Sequence, residues 1–453
     1  MAVIGTPARR ILMLLGWYYP DSIGGTERYT RMLARDLRDL GYRLIIAAPS
    51  VDETPRHDDD DGIPVYRYPL TAVPSLPELR GEESPQYLAT FTQWLQEQRP
   101  DLVHMHSFSR GCGFYHAQAV KTLGFPLCLT VHVPGVTCAT GTMRRWHQVS
   151  CDGAMRVARC TACLLHDKGV PRVLGYAATQ IPTRLLRAAG CWQNRLTTGL
   201  RMAKLIKNRQ THVHMLFTLA DHIVVVSQWL YEVLRRNGVT LHNLTLSRHG
   251  LSQEALRPPT PHPLPQPSVP LRVGYVGRFH PTKGVQVLVE AAKRLPASTP
   301  VTLHLYGTAT GSEERQYLAA VRKQSEGDTR IAFAGEMTEQ NRQNVFESFD
   351  ILAVPSLWLE TGPLVALEAF AAGLPVIGSD SGGLAELVTP EVNGILVQTG
   401  NVNAWTQALG AMSERWRCGA WTWHLPPVRK SVDVALDMQR VYEDIWAKRR
   451  ERR

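Results

Sequence analysis

Arg257-Pro258-Pro259-Thr260-Pro261-His262-Pro263-Leu264-Pro265-Gln266-Pro267-Ser268-Val269-Pro270 divides the chain into two halves that repeat one pattern. Proline fixes φ and lacks an N–H, so this run forms neither a helix nor a central strand and reads as an extended, semi-rigid connector. Before it, Ile11–Leu15, Leu44–Ala47, Leu102–His104, Leu127–Val131 and Ile223–Val226 read as strands, and Gly25–Leu37 as an amphipathic helix ending near Gly41. After it, Leu271–Val276, Thr302–Tyr306, Arg330–Phe333, Ile351–Val354 and Pro375–Gly378 read as strands, with a helix at Val285–Arg294. Short β-rich apolar runs alternating with helical patterns predict two parallel sheets, each covered by helices. The expected domains are 1–256, with a Cys-rich insertion at 138–163, and 271–425, joined by the 257–270 linker. Val432–Trp446 has helical apolar spacing after Pro426-Pro427, so 426–453 is expected to hold a helix returning to the first domain, then a basic tail.

Composition narrows the function classes. Of 453 residues, 44% are hydrophobic and 20% charged, which is globular material with an ample core. The net charge of +10 favours an anionic partner without saying which. No run of about 20 apolar residues is present, so nothing is expected to span a membrane. Arg9-Arg10 followed by Ile11–Leu15 resembles a leader, but the apolar run is short and enters Trp17-Tyr18-Tyr19-Pro20, so a buried strand is the better reading. Eight cysteines are too sparse for a disulfide scaffold, and a cytoplasmic location is expected. Lys448-Arg449-Arg450-Glu451-Arg452-Arg453 raises a polyanion-binding alternative, but no recognition-helix or zinc-finger spacing accompanies it, so nucleic acid is not expected as a partner. Asp58-Asp59-Asp60-Asp61 reads as a solvated loop.

The chemistry concentrates in Glu360-Thr361-Gly362-Pro363-Leu364-Val365-Ala366-Leu367-Glu368. Pro363 suits the start of a helix, placing Glu360 in the preceding loop and Glu368 in the second turn. The exposed N–H groups of the helix start, in the turn shaped by Gly362, Pro363 and Leu364, form a ready phosphate site. A carboxylate accepts hydrogen bonds from two adjacent sugar hydroxyls. Val276-Gly277-Arg278-Phe279-His280-Pro281-Thr282-Lys283-Gly284 follows a strand and opens a helix, and offers Arg278 and Lys283 to a diphosphate. Gly24-Gly25-Thr26-Glu27 is a second glycine turn at a helix start. Thr130-Val131-His132 ends a strand, where ligands of α/β folds bind.

Together, Gly-Arg-Phe with Lys-Gly, Val-Pro-Ser (354–356), the two glutamates, Gly382-Gly383-Leu384-Ala385-Glu386 and Asn393-Gly394-Ile395-Leu396-Val397 resemble the donor-binding domain of retaining glycosyltransferases of family 4. The resemblance covers nearly all of 271–400 and, more loosely, 11–252. It implies the GT-B fold, two Rossmann-like domains facing across a cleft, and transfer of a sugar from a nucleoside-diphosphate sugar (a UDP-sugar foremost) to a glycan or glycolipid acceptor. It also implies roles: Arg278 and Lys283 on the diphosphate, Glu360 on the transferred sugar and Glu368 on the ribose. Met337 would lie by the base, Gly24 and Gly25 by the donor phosphate, and His132 by the reacting sugar. No metal is required for catalysis, since Arg, Lys and helix dipoles supply the positive field. Other GT-B enzymes, a phosphorylase or an epimerase, are the alternatives. The family's Asn-Gly-Val-Asp is replaced by Arg248-His249-Gly250-Leu251.

Two features lie outside that resemblance. Cys138, Cys151, Cys160 and Cys163 end in a Cys-x2-Cys pair, which suits a structural zinc site; two disulfides or four unrelated buried thiols are the rival readings. From Lys168 to Ala220 there is no Asp or Glu, while Lys168, Arg172, Arg184, Arg187, Arg195, Arg201, Lys204, Lys207 and Arg209 interleave with apolar residues. That composition predicts contact with anionic lipid or a phosphorylated acceptor, against a plain solvated basic face.

Overall fold

The computed structural model describes residues 8–79, 81–146, 148–180, 195–256 and 268–451; most of the expected linker lies outside them. The chain divides into one unit of Met1–Arg248 with Val432–Arg453, and a second of His249–Ser431.

The first unit is built on β1 (Arg10–Leu14), β2 (Arg43–Ser50), β3 (Arg56–Asp60), β4 (Ile63–Pro69), β5 (Leu102–Met105), β6 (Leu127–Val131), a small hairpin of β7 (Arg144–Arg145) and β8 (Val149–Ser150), then β9 (His222–Val225) and β10 (Leu244–Leu246). Its main sheet has the order β10-β9-β6-β5-β1-β2-β4-β3. Among the described residues of this sheet, β3 and β4 are the one antiparallel pair. A parallel sheet is covered on both faces, so its strands are continuous apolar runs, and Ile11 through Leu15 are fully buried. Helix α1 (Gly25–Asp39) buries Tyr29, Leu33, Ala34 and Leu37, one stripe of a 3.6-residue period. Helices α2 (Val157–Asp167) and α3 (Arg195–Leu219) follow β8.

The Asp58–Asp61 run is not a solvated loop. It forms β3 and its turn, with Asp58 bonded to Arg67 and Asp60 to Tyr18 and Arg31. Alternation explains this: Asp58 and Asp60 share one face of the strand and meet cations, while Asp59 points the other way. Asp61 and Gly62 both have positive φ (59° and 77°), the turn that an Asp-Gly pair favours between strands.

The second unit contains β11 (Leu271–Val276), β12 (Val301–Tyr306), β13 (Ile331–Gly335), β14 (Ile351–Val354), β15 (Val376–Ser379) and β16 (Gly394–Val397), with α4 (Val285–Arg294) and α5 (Leu364–Ala371) among its helices. The strand order β13-β12-β11-β14-β15-β16 is the doubly wound Rossmann order. Chain direction across the sheet reverses between β11 and β14, so a crevice opens at the carboxyl ends of these two strands. Residues 249–256 belong here rather than to the first unit. Leu251 bonds through its N–H to Arg429 O (2.9 Å), and Ser431 N–H returns to Leu251 O (2.8 Å), which ties the segment to the end of this unit.

Helix α6 (Ser431–Glu451) supplies Val434, Ala435, Met438, Val441, Tyr442, Ile445 and Trp446 to the core of the first unit. Trp446 Nε1 donates to Asp101 O (3.0 Å), and Tyr442 Oη pairs with His104 Nδ1 (2.6 Å). The helix runs through Lys448, Arg449 and Arg450, so these basic residues form its last turn.

Candidate functional site

In the second unit, the loops after β11 and β14 meet at the switch point. Lys283 Nζ lies 2.7 Å from Glu360 Oε1, and Ser356 Oγ donates to the same oxygen at 2.7 Å. Glu360 is 6% exposed, which for an ion demands partners. Burial alone would push its carboxyl up, but the Lys283 ammonium and hydrogen bonds from Lys283, Ser356 and Trp358 outweigh that and hold it below the ordinary value. Lys283 also lies over the Trp358 ring, 5.1 Å from its centroid. Sequence reasoning missed Ser356 and Trp358 as partners of Glu360, although Ser356 stands in the Val-Pro-Ser motif.

Glycines let the loops close around this pair. Gly284 has φ +72°, and a Cβ there would fall 2.0 Å from Pro355 O. Gly383 N–H donates to Glu360 O at 2.5 Å, and a Cβ on Gly382 would sit 2.6 Å from that oxygen. The Gly382-Gly383 turn therefore fixes the backbone that carries Glu360.

Helix α5 begins at Leu364 with Pro363 as its N-cap, so its unsatisfied N–H donors start at Leu364. Gly362 O accepts from His249 Nδ1 at 2.8 Å. Burial lowers the His249 pKa to about 4, partly opposed by that bond. The segment that departs from the family pattern thus braces the turn before α5. Glu368 lies buried in the second turn of α5, with Arg342 Nε 3.7 Å from its Oε1. Arg278 is half exposed and pairs with Glu314 at 3.3 Å. Glu314 in turn accepts from the N–H and hydroxyl of Thr310. Met337 follows β13 and packs at the edge of the cluster around Phe346, Phe349 and Phe370.

In the first unit, Gly24 caps α1, and a Cβ added to Gly25 would meet nothing within 4 Å. No packing demand of the fold accounts for glycine at 25. His132, directly after β6, is 5% exposed; its Nε2 lies 3.1 Å from His106 Nδ1 and its ring 4.5 Å from that of Tyr29. His104 is a core residue held by Tyr442 and Thr130, with burial lowering its pKa to about 3. The β5–β6 pairing sets the two strand ends side by side, a neighbourhood invisible to local sequence reading.

Cys138, Cys151, Cys160 and Cys163 are free thiols lining one pocket. Of the basic segment, Arg184 and Arg187 lie outside the described residues. Arg209 does not join an outer basic face: its guanidinium turns inward to the carbonyl oxygens of Gly135 and Val136, since α3 packs that side of its surface against the loop after β6. Lys204 pairs with Glu82, and Lys207 is exposed. Among the described residues no helix is long and apolar enough to cross a membrane.

Residues 270–415 match a family model described as glycosyl transferases group 1, and residues 24–173 match a glycosyl transferase 4-like domain. D-inositol 3-phosphate glycosyltransferase of Mycobacteroides abscessus is 35% identical over 145 residues, 32% of this chain and 32% of that protein. The matched stretch thus spans about a third of the length of such relatives. The 2-deoxystreptamine N-acetyl-D-glucosaminyltransferase of Streptomyces fradiae is 26% identical over 403 residues, 86% of this chain and 82% of that protein. Among solved structures, sucrose-phosphate synthase from Thermosynechococcus elongatus superposes with a TM-score of 0.63 at 21% identity, covering 97% of this chain and 100% of the other. Anabaena HepE in complex with UDP and glucose gives 0.58 at 17% identity, covering 96% and 99%. At these identities the structural likeness bears on the fold alone.

Proposed function

We propose that this chain, which belongs to the GT-B glycosyltransferases of family 4, moves a sugar from a nucleoside-diphosphate sugar to an acceptor hydroxyl with retention of configuration. The observation that carries the reading is the pairing of buried Glu360 with part-buried Lys283 at the switch point of a doubly wound sheet. A sugar diphosphate brings two chemistries, a dense anion and adjacent hydroxyls, and this site offers an ammonium and a carboxylate side by side. Lys283 and Arg278 take the diphosphate, aided by the N–H groups from Leu364 onward, and stabilise the charge that grows as the glycosidic bond breaks. Glu360 accepts hydrogen bonds from the transferred sugar, and Glu368 from the ribose. Gly362 and Pro363 shape the turn, and Met337 lies by the base. Gly24 and Gly25 bring backbone N–H groups to the donor phosphate. His132 contacts the reacting sugar, and the acceptor hydroxyl attacks from the face the diphosphate leaves. No metal is required for that chemistry.

UDP is the favoured nucleotide: HepE is seen with UDP and with UDP-glucose, whereas a starch synthase likeness carries ADP. The acceptor class is a glycan or glycolipid hydroxyl of cell-surface polysaccharide or glycoconjugate synthesis, reached in the cytoplasm or at an anionic membrane surface through the basic segment 168–220. Thermal stabilisation by UDP-, GDP- and ADP-sugars, followed by product analysis with the stabilising donor, tests the reading. One sugar nucleotide is expected to raise the midpoint and to be consumed, and Lys283→Ala is expected to lose roughly tenfold or more in affinity, as a charge-assisted contact of about 1.5–3 kcal/mol requires. No stabilisation by any sugar nucleotide, or equal affinity in Lys283→Ala, overturns it.

A further inference from the structure

We propose that the pocket lined by Cys138, Cys151, Cys160 and Cys163 in the first unit is a structural zinc site with four thiolate ligands. None of the four cysteines is among the residues assigned to the donor or the reacting sugar, so the two readings stand or fall separately. Three separate segments deliver the thiols. Cys138 follows the 3-10 turn Pro134–Val136, its N–H bonded to Pro134 O at 2.9 Å. Cys151 follows the β7–β8 hairpin, its N–H bonded to Met143 O at 2.8 Å. Cys160 and Cys163 stand three residues apart on α2, hence on one helix face. Spread over 26 positions of sequence, the four side chains nevertheless line one pocket. One ring of the site is thus a short chelate, the Cys160–Cys163 turn of helix, and Cys138 and Cys151 add one thiol each from separate segments.

The charge around the pocket fits that ligand set. Four thiolates around a divalent ion leave a net negative centre, and such a centre needs nearby positive charge when partly buried. Arg144, Arg145 and Arg159 line the pocket, and the Asp152 carboxylate, 3.7 Å from Cys151 Sγ, stands beside it. Asp152, beside Cys151, is held by Arg159 at 2.5 Å.

The local fold also needs a staple. Met143 and Trp146 adopt left-handed backbone (φ 55° and 60°), a conformation that non-glycine residues keep only when their surroundings enforce it. Among the described residues, the apolar cluster beneath α2 has Leu165, Met202 and Ile206 as buried members, with Val157, Leu164 and Leu205 among the partly buried ones packed against them. So small a cluster is a weak anchor for a hairpin, a turn and a helix, and small cores are routinely held by metals or disulfides. The thiols do not already meet at a point: among the described residues no three His, Cys, Asp or Glu side chains form a ready metal-holding group. Closure therefore requires rotation about the cysteine χ1 bonds with local backbone adjustment, and the proposal carries that specific demand.

The test uses the full chain purified without added metal. Elemental analysis is expected to give about one equivalent of zinc. A mercurial thiol reagent with a zinc indicator is expected to release that zinc, and thiol titration of native protein to show at least four of the eight cysteines protected until then. Cys160→Ser with Cys163→Ser is expected to lose the zinc and lower the thermal midpoint, while Cys418→Ser, an exposed cysteine elsewhere, leaves both unchanged. Should the double variant not fold, zinc content and release in the wild type still decide the question. Less than about a tenth of an equivalent of zinc overturns the proposal. So does iron with acid-labile sulfide, which marks a cluster instead. Disulfides among the four, found by mass spectrometry after alkylation, or zinc retained in the double variant, do the same.

Discussion

Glu360 and Glu368 are both buried carboxylates, yet they are held differently, and that difference predicts separable defects. Glu360 has an ammonium and a hydroxyl on one oxygen, whereas at Glu368 a guanidinium, that of Arg342, stands 3.7 Å away. Glu360→Gln keeps the shape but removes the charge that balances Lys283, so turnover is expected to fall by roughly tenfold or more with modest change in affinity for the free nucleoside diphosphate. Glu368→Gln is expected to do the reverse, because a ribose hydroxyl prefers a charged acceptor. Calorimetry with the diphosphate beside steady-state rates separates the two; unchanged nucleotide affinity in Glu368→Gln refutes the ribose role. Arg278→Ala is expected to cost less than Lys283→Ala, since Arg278 is half exposed and already engaged by Glu314. The glutamates, Arg278 and Lys283 were legible in sequence because their motifs are local. The brace from His249 to Gly362 O was not, because it joins residues 113 apart.

At the scale of elements, two glycines that look alike in sequence have opposite structural duties. Gly284 takes positive φ at the start of α4, with Pro355 O where a Cβ would stand. Gly284→Ala must both occupy a left-handed conformation and displace backbone, so a loss of roughly 1–3 kcal/mol or more is expected. Gly25 opens α1 with nothing within 4 Å of a Cβ. Gly25→Ala is expected to match the wild-type thermal midpoint and, on the proposed role of this turn, to lose activity as the methyl crowds the donor phosphate. A midpoint lowered as far as that of Gly284→Ala contradicts the contrast; undiminished activity removes Gly25 from the donor site. The element pattern was readable where strands lie in parallel sheets, since burial on both faces makes them apolar runs, as β1 and β6 show. Strand β3 escaped because an edge strand carries charge, and its signal was the Asp61-Gly62 pair rather than hydropathy. For the four cysteines, the Cys160–Cys163 spacing was local, while their convergence with Cys138 and Cys151 depends on the hairpin between them.

Across the whole molecule, the buried imidazoles tie stability to pH. Burial lowers His104 and His116 to about 3, His222 and His249 to about 4, and His106 well below its ordinary value of 6.5. They are spread over both units, and at His222 desolvation outweighs the opposing pull of Asp444. In the folded chain these rings stay neutral through mild acid, whereas in the unfolded chain they take up protons below about pH 6.5. The unfolded state therefore binds more protons between about pH 6.5 and 4, and stability rises with pH across that window. Each net proton contributes a slope of about 1.4 kcal/mol per pH unit, so several imidazoles acting together make a steep loss on acidification. Carboxylates such as Asp60 and Glu360 act in the same direction but at lower pH, because their folded values lie below ordinary carboxyl values and their stabilisation is lost only as pH falls through those. The thermal midpoint is thus expected to be nearly level from about pH 8 to 7 and to fall steadily from about 6.5 to 4.5, before the carboxylates protonate. His116→Gln, which removes a buried ring not assigned to the donor or the reacting sugar, is expected to shallow that slope by up to one proton. A midpoint unchanged between pH 7 and 5 shows that these rings are charged or solvated in the folded chain, and removes the argument.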